Sequence, residues 1–407
     1  NNAILMLILW FVSVALLIKQ FSWFKHLGTF FQKKYYYHHL LLEFIIQNNL
    51  YKEVNGTVEM SATLTYLEKY EEIIVFALKQ GTPFDSRLEK LDVELQGLLH
   101  LPLTDKIVSH DMVEYHFKEV KEIEQIIFSS DQLGKDFFDS IPLDSIVLSP
   151  TQSFSLKSSS MMGLYGRTGS GKTIALQWYL YSAIAKGCGT DSNSVLTIVD
   201  GKGGDLYSLG RILEDELVGN SSVGQTGHAL AKLSREFVEA MDARFEMIGE
   251  SKTLNADGYD LGLTPNFIFI DELASIRDSC GSSKQGKELW NEILQNLGLI
   301  ARKGRQASCH LCVSTQDPNA ENIPVELRLQ ITSVLYLSNP GTDRLKMAFS
   351  MCELENVPTL SGRKGEALFY ADGLKMVEPE ITVVPFVDVK SKADFLNVVK
   401  KIKPNLQ

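Results

Sequence analysis

The stretch Gly166-Arg167-Thr168-Gly169-Ser170-Gly171-Lys172-Thr173 constrains this chain more than any other. Its spacing is G-x-x-x-x-G-K-[ST], the phosphate-binding P-loop. Before it, Met161-Met162-Gly163-Leu164-Tyr165 is short and apolar, as a buried strand is. After it, Ile174-Ala175-Leu176-Gln177-Trp178-Tyr179-Leu180 reads as a helix. Strand, glycine-rich turn and helix are the setting that the motif needs. Glycines let backbone N–H groups turn inward onto phosphate oxygens, and the helix N-terminus adds partial positive charge. Lys172 is expected to reach the β- and γ-phosphates of ATP, and Thr173 to place its hydroxyl on Mg2+.

A second stretch supplies the acid groups that hydrolysis needs. Phe267-Ile268-Phe269-Ile270-Asp271-Glu272 is an apolar strand that delivers two carboxylates to its C-terminal end. Ligands bind at that end of open α/β sheets. One carboxylate must hold the hydrated metal, and a second must orient and deprotonate the attacking water. Asp271 is assigned to magnesium and Glu272 to the water. Gln316 ends the next strand, His310 to Thr315, and is placed to sense the γ-phosphate or the attacking water. Arg302, Lys303 and Arg305 close the preceding helix. Cations there complement the helix dipole. The sharper reading is a catalytic arginine supplied in trans, which only a ring or dimer permits.

At 407 residues the chain has room for two or three folded units. Residues 1–34 form the first, and their apolar run is membrane-like. Ala3 to Ile18 carries no charge and spans about 24 Å as a helix at about 1.5 Å per residue. That is slightly short of a bilayer core. The chain begins with Asn, so a longer span with upstream residues is expected. Lys19, Lys25, Lys33 and Lys34 follow, mixed with Phe21, Trp23, Phe24, Phe30, Phe31 and Tyr35 to Tyr37. Basic residues with an aromatic belt mark the cytoplasmic interface. A cleaved signal peptide would export the P-loop away from ATP. The expectation is therefore a cell-membrane protein with its nucleotide site in the cytoplasm.

Residues 35–135 read as a membrane-proximal helix (His38 to Asn49) and a small α+β domain. In it, Tyr70 to Leu78 and Val113 to Phe117 look like strands. Asp85 to His100 and Lys118 to Phe128 look like helices. Its histidines show no metal-ligand spacing. From Ser140 onward strands alternate with helices, which indicates an α/β fold with a mostly parallel sheet. Residues 136–407 are the expected motor domain. Net charge is −10, which excludes a broadly basic surface but not a local basic lining. Five cysteines, an odd number, point to a reducing compartment and no disulfide framework. Cys309 and Cys312 form a C-x-x-C inside an apolar strand, where core packing is the expected role.

Several motifs in order now carry a resemblance. Asp200-Gly201-Lys202-Gly203-Gly204, Ile270-Asp271-Glu272-Leu273-Ala274, Ala301-Arg302-Lys303-Gly304-Arg305 and Ser314-Thr315-Gln316-Asp317-Pro318 look like the FtsK/SpoIIIE family of DNA-pumping ATPases and its conjugation relatives. Asp343-Arg344 and Gly362-Arg363-Lys364-Gly365-Glu366-Ala367-Leu368-Phe369 fit its later motifs. The likeness covers roughly Ser140 to Pro385. It implies a RecA-like, homohexameric motor that pulls double-stranded DNA through its centre, with Arg305 acting in trans and Gln316 as sensor. The chain departs from the family's frequent Asp-Pro-Lys at Asp200-Gly201-Lys202, and from Thr-Gln-Arg-Pro at Thr315-Gln316-Asp317-Pro318. Its small, anchored form looks most like the TcpA-like conjugative coupling proteins of Gram-positive plasmids and transposons. Relaxase and conjugation-channel proteins are then the expected partners.

Two other readings compete: an FtsK-like ATPase energising protein secretion of type VII, and a chromosome-partition pump. Secretion ATPases of that kind carry several modules in tandem, and this chain holds one P-loop. DNA contact is expected in two loops that leave the strands carrying Glu272 and Gln316. One is Asp278 to Gly286 with Lys284, and Lys287 just beyond. The other is Asp317 to Asn322.

Overall fold

The computed structural model describes residues 36–69, 72–118, 123–217, 220–355 and 357–404. The expected membrane span and its basic, aromatic flank through Tyr35 lie outside these residues. Among the described residues no helix is long and apolar enough to cross a membrane. The chain forms two compact units that part between Glu122 and Ile123.

The first unit opens with helix α1, over residues 36–47. A hairpin follows, β1 (Tyr51–Val54) and β2 (Thr57–Ser61). Next come β3 (Thr63–Lys69) and β4 (Glu72–Leu78), short helices α2 (Asp85–Leu88) and α3 (Asp92–Leu99), then β5 (Leu103–Val108) and β6 (Met112–Lys118). Four of these strands form an antiparallel sheet in the order β3-β4-β6-β5. Its core includes Leu41, Phe44, Val75, Leu95, Tyr115 and Phe117.

One expectation gains a partner strand here, and two change. The strand read from Tyr70 is β4, paired along its length with β3, a strand that the sequence pattern does not separate from it. The single helix read over Asp85 to His100 is broken in two. The Tyr115 hydroxyl occupies the break, donating to Leu88 O at 2.5 Å and accepting from Leu91 N at 3.2 Å. Of the stretch read as a helix over Lys118 to Phe128, residues 119–122 lie outside the described residues and the rest is not helical. Lys118 ends β6, whose alternating Val113, Tyr115 and Phe117 are buried, and β7 (Ile127–Ser129) is a strand. A partner far along the chain captures it: β7 pairs in parallel with β18 (Phe386–Asp388).

The second unit continues with α4 (Lys135–Asp139), the hairpin β8 (Ser145–Ser149) and β9 (Gln152–Ser155), β10 (Met161–Tyr165), α5 (Lys172–Ala185), β11 (Leu196–Asp200), α6 (Asp205–Glu216) and β12 (Ser221–Gly224). Then follow α7 (Gly227–Gly249), β13 (Asn266–Asp271), α8 (Leu273–Cys280), α9 (Lys284–Lys303), β14 (Cys309–Thr315), α10 (Val325–Arg328), β15 (Ser333–Tyr336), α11 (Thr342–Ala348), β16 (Glu366–Ala371), β17 (Glu380–Val383) and, after β18, α12 (Lys392–Ile402).

Eight strands make the sheet, in the order β12-β11-β13-β14-β10-β15-β16-β17. The six from β12 to β15 run parallel, and β16 and β17 are antiparallel additions at one edge. The mostly parallel α/β expectation therefore holds. β10 and β14 are buried at every position, as strands covered on both faces are. One core cluster joins side chains of α5, α6 and α12 to one face of the sheet, and another joins those of α7, α8 and α9 to the other. Trp178 of α5 is buried against Phe128, Phe137 and Phe138, and its indole donates to Val147 O at 2.6 Å. That cluster fixes the helix that follows the P-loop. Cys309 and Cys312 are both buried in β14, and burial pushes the Cys309 thiol up to about 11.

Candidate functional site

The P-loop lies between β10 and α5, as the flanking residues predict. Gly169 and Gly171 take left-handed backbone, φ +86° and +107°. A side chain at Gly171 would meet Gly365 N at 2.8 Å, so the crowding excludes one as firmly as the dihedral does. Gly365 N in turn donates to Ser170 O at 3.2 Å, tying the later Gly362–Phe369 motif to the loop. The N-terminus of α5 has no side-chain cap. Its first-turn N–H groups are thus free for an anion, and the helix dipole favours negative charge there.

Sheet order does the rest. β14 separates the P-loop strand from β13, and all three end on the same side. Lys172 Nζ reaches across to Asp271 Oδ1 at 2.6 Å. Asp271 Oδ1 also accepts from Ser314 Oγ, and its Oδ2 takes part in neither bond. Thr173, whose side chain is exposed, and Asp271 both line the nucleotide cavity. Two oxygen donors of this kind suit a hard cation such as Mg2+. Glu272 is 7% exposed and sits in left-handed backbone, φ +56°, at the start of α8. Lys202 Nζ lies 2.8 Å from its Oε2, and Thr315 Oγ1 donates to its Oε1 at 3.0 Å.

Lys172, Thr173, Lys202 and Asp271 share a cavity of about 550 Å³ with Arg167, Thr168, Gly169, Gly171 and Gln316, and Glu272 touches it through Lys202. Leu206, Leu209, Phe386, Val387 and Val389 give it an apolar wall. Gln316 is exposed at the end of β14, beside the strand that carries Glu272, as expected.

Other predicted residues lie elsewhere. Arg305 lines a second cavity with Arg302, Lys303, Lys157 and Gln306, and takes no part in the nucleotide cavity of its own chain. Lys284, expected in a loop, instead opens α9, capped by Ser283, whose hydroxyl accepts from Gly286 N at 3.1 Å. The connector after α8 is accordingly shorter than the reading from Asp278 to Gly286. The loop from Asp317 to Asn322 is held at several points. Arg344 pairs with Asp317 at 2.8 Å, Arg277 donates to Glu321 O, and Arg328 donates to Pro318 O.

Lys202, Thr315 and Lys364, which also lines the cavity, receive no role from the sequence motifs alone. All three do stand inside motifs singled out from the sequence. Their spatial neighbours are the part that no local pattern carries. Among the described residues no cluster of three His, Cys, Asp or Glu side chains forms a metal site.

No protein-family model matches the chain. The DNA translocase FtsK of Clostridium acetobutylicum is 26% identical over 201 residues, which cover 44% of this chain and 24% of that protein. The match thus spans about a quarter of that relative's length. The pCW3 conjugation coupling protein TcpA, in its monomer form with ATPγS, matches with a TM-score of 0.57 at 18% identity, covering 83% of this chain and 93% of that one. EssC (ATPases 2 and 3) from Geobacillus thermodenitrificans matches with a TM-score of 0.44 at 14% identity, over 62% of this chain and 45% of that one. The chain resembles the FtsK/SpoIIIE family in sequence and a TcpA coupling protein in fold, and its larger unit has the architecture of a P-loop ATPase.

Proposed function

We propose that this chain is a membrane-anchored, ATP-driven translocase of double-stranded DNA, acting as a conjugative coupling protein. One observation carries the reading: Lys172, Asp271 and Gln316 line one cavity at the C-terminal edge of a parallel sheet, beside an uncapped helix N-terminus, with Glu272 next to Asp271 and paired to the cavity's Lys202. Lys172 and the P-loop N–H groups hold the triphosphate. Thr173 and Asp271 hold Mg2+, which supplies charge neutralisation on the phosphate oxygens when bound. Glu272 accepts the proton of the attacking water, and Gln316 orients that water. ATP and water give ADP and phosphate.

Arg305 lies away from its own chain's nucleotide cavity, which supports its action on a neighbour's nucleotide within a homohexamer. Lys284 and Lys287 stand in the first turn of α9, where the helix dipole disfavours cations. An external polyanion answers that charge, and these two lysines are assigned to the DNA backbone. The charge-free run from Ala3 to Ile18 supplies the anchor. A relaxase and channel proteins complete the assembly.

ATP turnover measured with and without double-stranded DNA of mixed sequence tests this reading. Several-fold stimulation by DNA is expected. Stimulation by a secreted polypeptide and none by DNA would favour the protein-secretion alternative.

A further inference from the structure

We propose that Lys202 is a latch on Glu272 that releases when a triphosphate, but not a diphosphate, fills the cavity. The proposal rests on the reading of the P-loop cavity as a nucleotide site and adds to it a residue that distinguishes ATP from ADP.

The loop that carries Lys202 is built with care. Asp200, at the end of β11, is 1% exposed. Its carboxylate accepts four backbone N–H bonds, from Lys202 (2.9 Å), Gly203 (3.1 Å), Gly204 (2.8 Å) and Tyr207 (3.1 Å). A carboxylate spent in this way fixes a loop rather than binding a ligand. Gly201 packs so closely on α8 that a Cβ there would meet Glu272 O at 2.8 Å and Ile276 N at 3.0 Å. The missing side chain lets Gly201 lie against the start of α8, and the Lys202 ammonium beside it lies 2.8 Å from Glu272 Oε2.

Both oxygens of Glu272 are therefore engaged, one by Lys202 and one by Thr315. A base so held has its Oε2 covered by a cation. The Lys202 side chain is 46% exposed and lines the same cavity as Lys172, whereas Glu272 is buried. Only the lysine is free to move. A terminal phosphate carries more negative charge than one carboxylate and competes for the ammonium. The move frees Oε2 to accept a proton from water and adds an ion pair with the γ-phosphate. A diphosphate lacks that group and leaves the latch closed.

Equilibrium binding of ATPγS and of ADP to the full chain in Mg2+, for wild type, Lys202→Met and Lys202→Arg, tests the proposal. Lys202→Met should weaken ATPγS about tenfold, the worth of one charge-assisted hydrogen bond, while leaving ADP within about twofold. Lys202→Arg should recover part of the difference. Gly201→Ala, which displaces the loop and keeps the lysine, should show the same selective loss. Equal affinities in Lys202→Met and wild type, or an equal loss for both nucleotides, overturns the latch while the nucleotide site stands. Failure of the wild type to bind either nucleotide overturns the site and the latch together.

Discussion

Lys172 Nζ lies 2.6 Å from Asp271 Oδ1, although the two residues are 99 positions apart and a third strand runs between theirs. The pair holds the P-loop cation at the sheet edge, each side chain only about 15% exposed. Lys172→Ala should remove the charge that the β- and γ-phosphates need and lower ATP turnover by about a hundredfold or more. It also leaves Asp271 without its cation. Steady-state phosphate release, with a thermal melt to verify folding, measures the effect. Turnover within a few-fold of wild type would remove Lys172 from the site.

Arg305 is exposed on a cavity that excludes its own P-loop, so its proposed partner lies in another copy. Specific activity should then rise steeply with protein concentration. Mixing Arg305→Ala subunits with Lys172→Ala subunits should restore part of the activity that each lacks alone, because some mixed interfaces hold an intact P-loop facing an intact arginine. Mixtures as inactive as their parents, at concentrations where the wild type is fully active, count against the role in trans.

The lysines at the start of α9 give a prediction about salt. Lys284 has a side chain 92% exposed, with Glu288 3.9 Å away as its weak ion-pair partner. Lys284→Glu with Lys287→Glu should weaken DNA binding evenly across sequences. The slope of log affinity against log salt should fall by about 2, roughly one for each phosphate that is no longer neutralised. Basal ATP turnover should survive while its stimulation by DNA declines. A double variant with the wild-type affinity and slope would place the grip elsewhere.

His310 gives the second unit an acid-sensitive core. Burial, with a smaller contribution from Arg244, lowers its pKa to about 3. Ser160 O can only accept, so Nδ1 carries the proton and Nε2 accepts the Tyr259 hydroxyl at 2.6 Å. An unfolded histidine titrates near 6.5, so between about pH 6.5 and 3 the unfolded chain binds a proton that the folded chain does not. Stability therefore falls as pH drops through that window, by up to about 1.4 kcal/mol per unit from this group. Urea unfolding at pH 7 and 5.5 should show a pH-dependent loss about 1 kcal/mol smaller in His310→Gln than in wild type. An unchanged difference would mean that His310 is charged in the fold.

The nucleotide cradle was legible in the sequence because each half of it is contiguous. Eight residues set the P-loop, and an apolar strand ending in Asp271 and Glu272 sets the acids. Alternation of strands and helices was enough to give a parallel sheet. Pairings between distant segments were not legible. Nothing local announces that Ile127–Ser129 pairs with Phe386–Asp388, or that a tyrosine hydroxyl on β6 splits a helix. The pairing of Lys202 with Glu272 is of the same kind. It depends on the neighbouring positions of β11 and β13 in the sheet and on a close glycine approach that spacing does not record.

Hydrolysis that depends on Glu272 should move double-stranded DNA. Displacement of a third strand from a DNA triplex by the purified chain measures that movement directly. Wild type should displace the strand with ATP and not with ATPγS. Glu272→Gln should bind ATPγS and DNA as the wild type does yet displace nothing, since an amide cannot take the water's proton. Displacement by Glu272→Gln at the wild-type rate would remove Glu272 as the base, and ATP hydrolysis by the wild type with no displacement would rule out DNA movement.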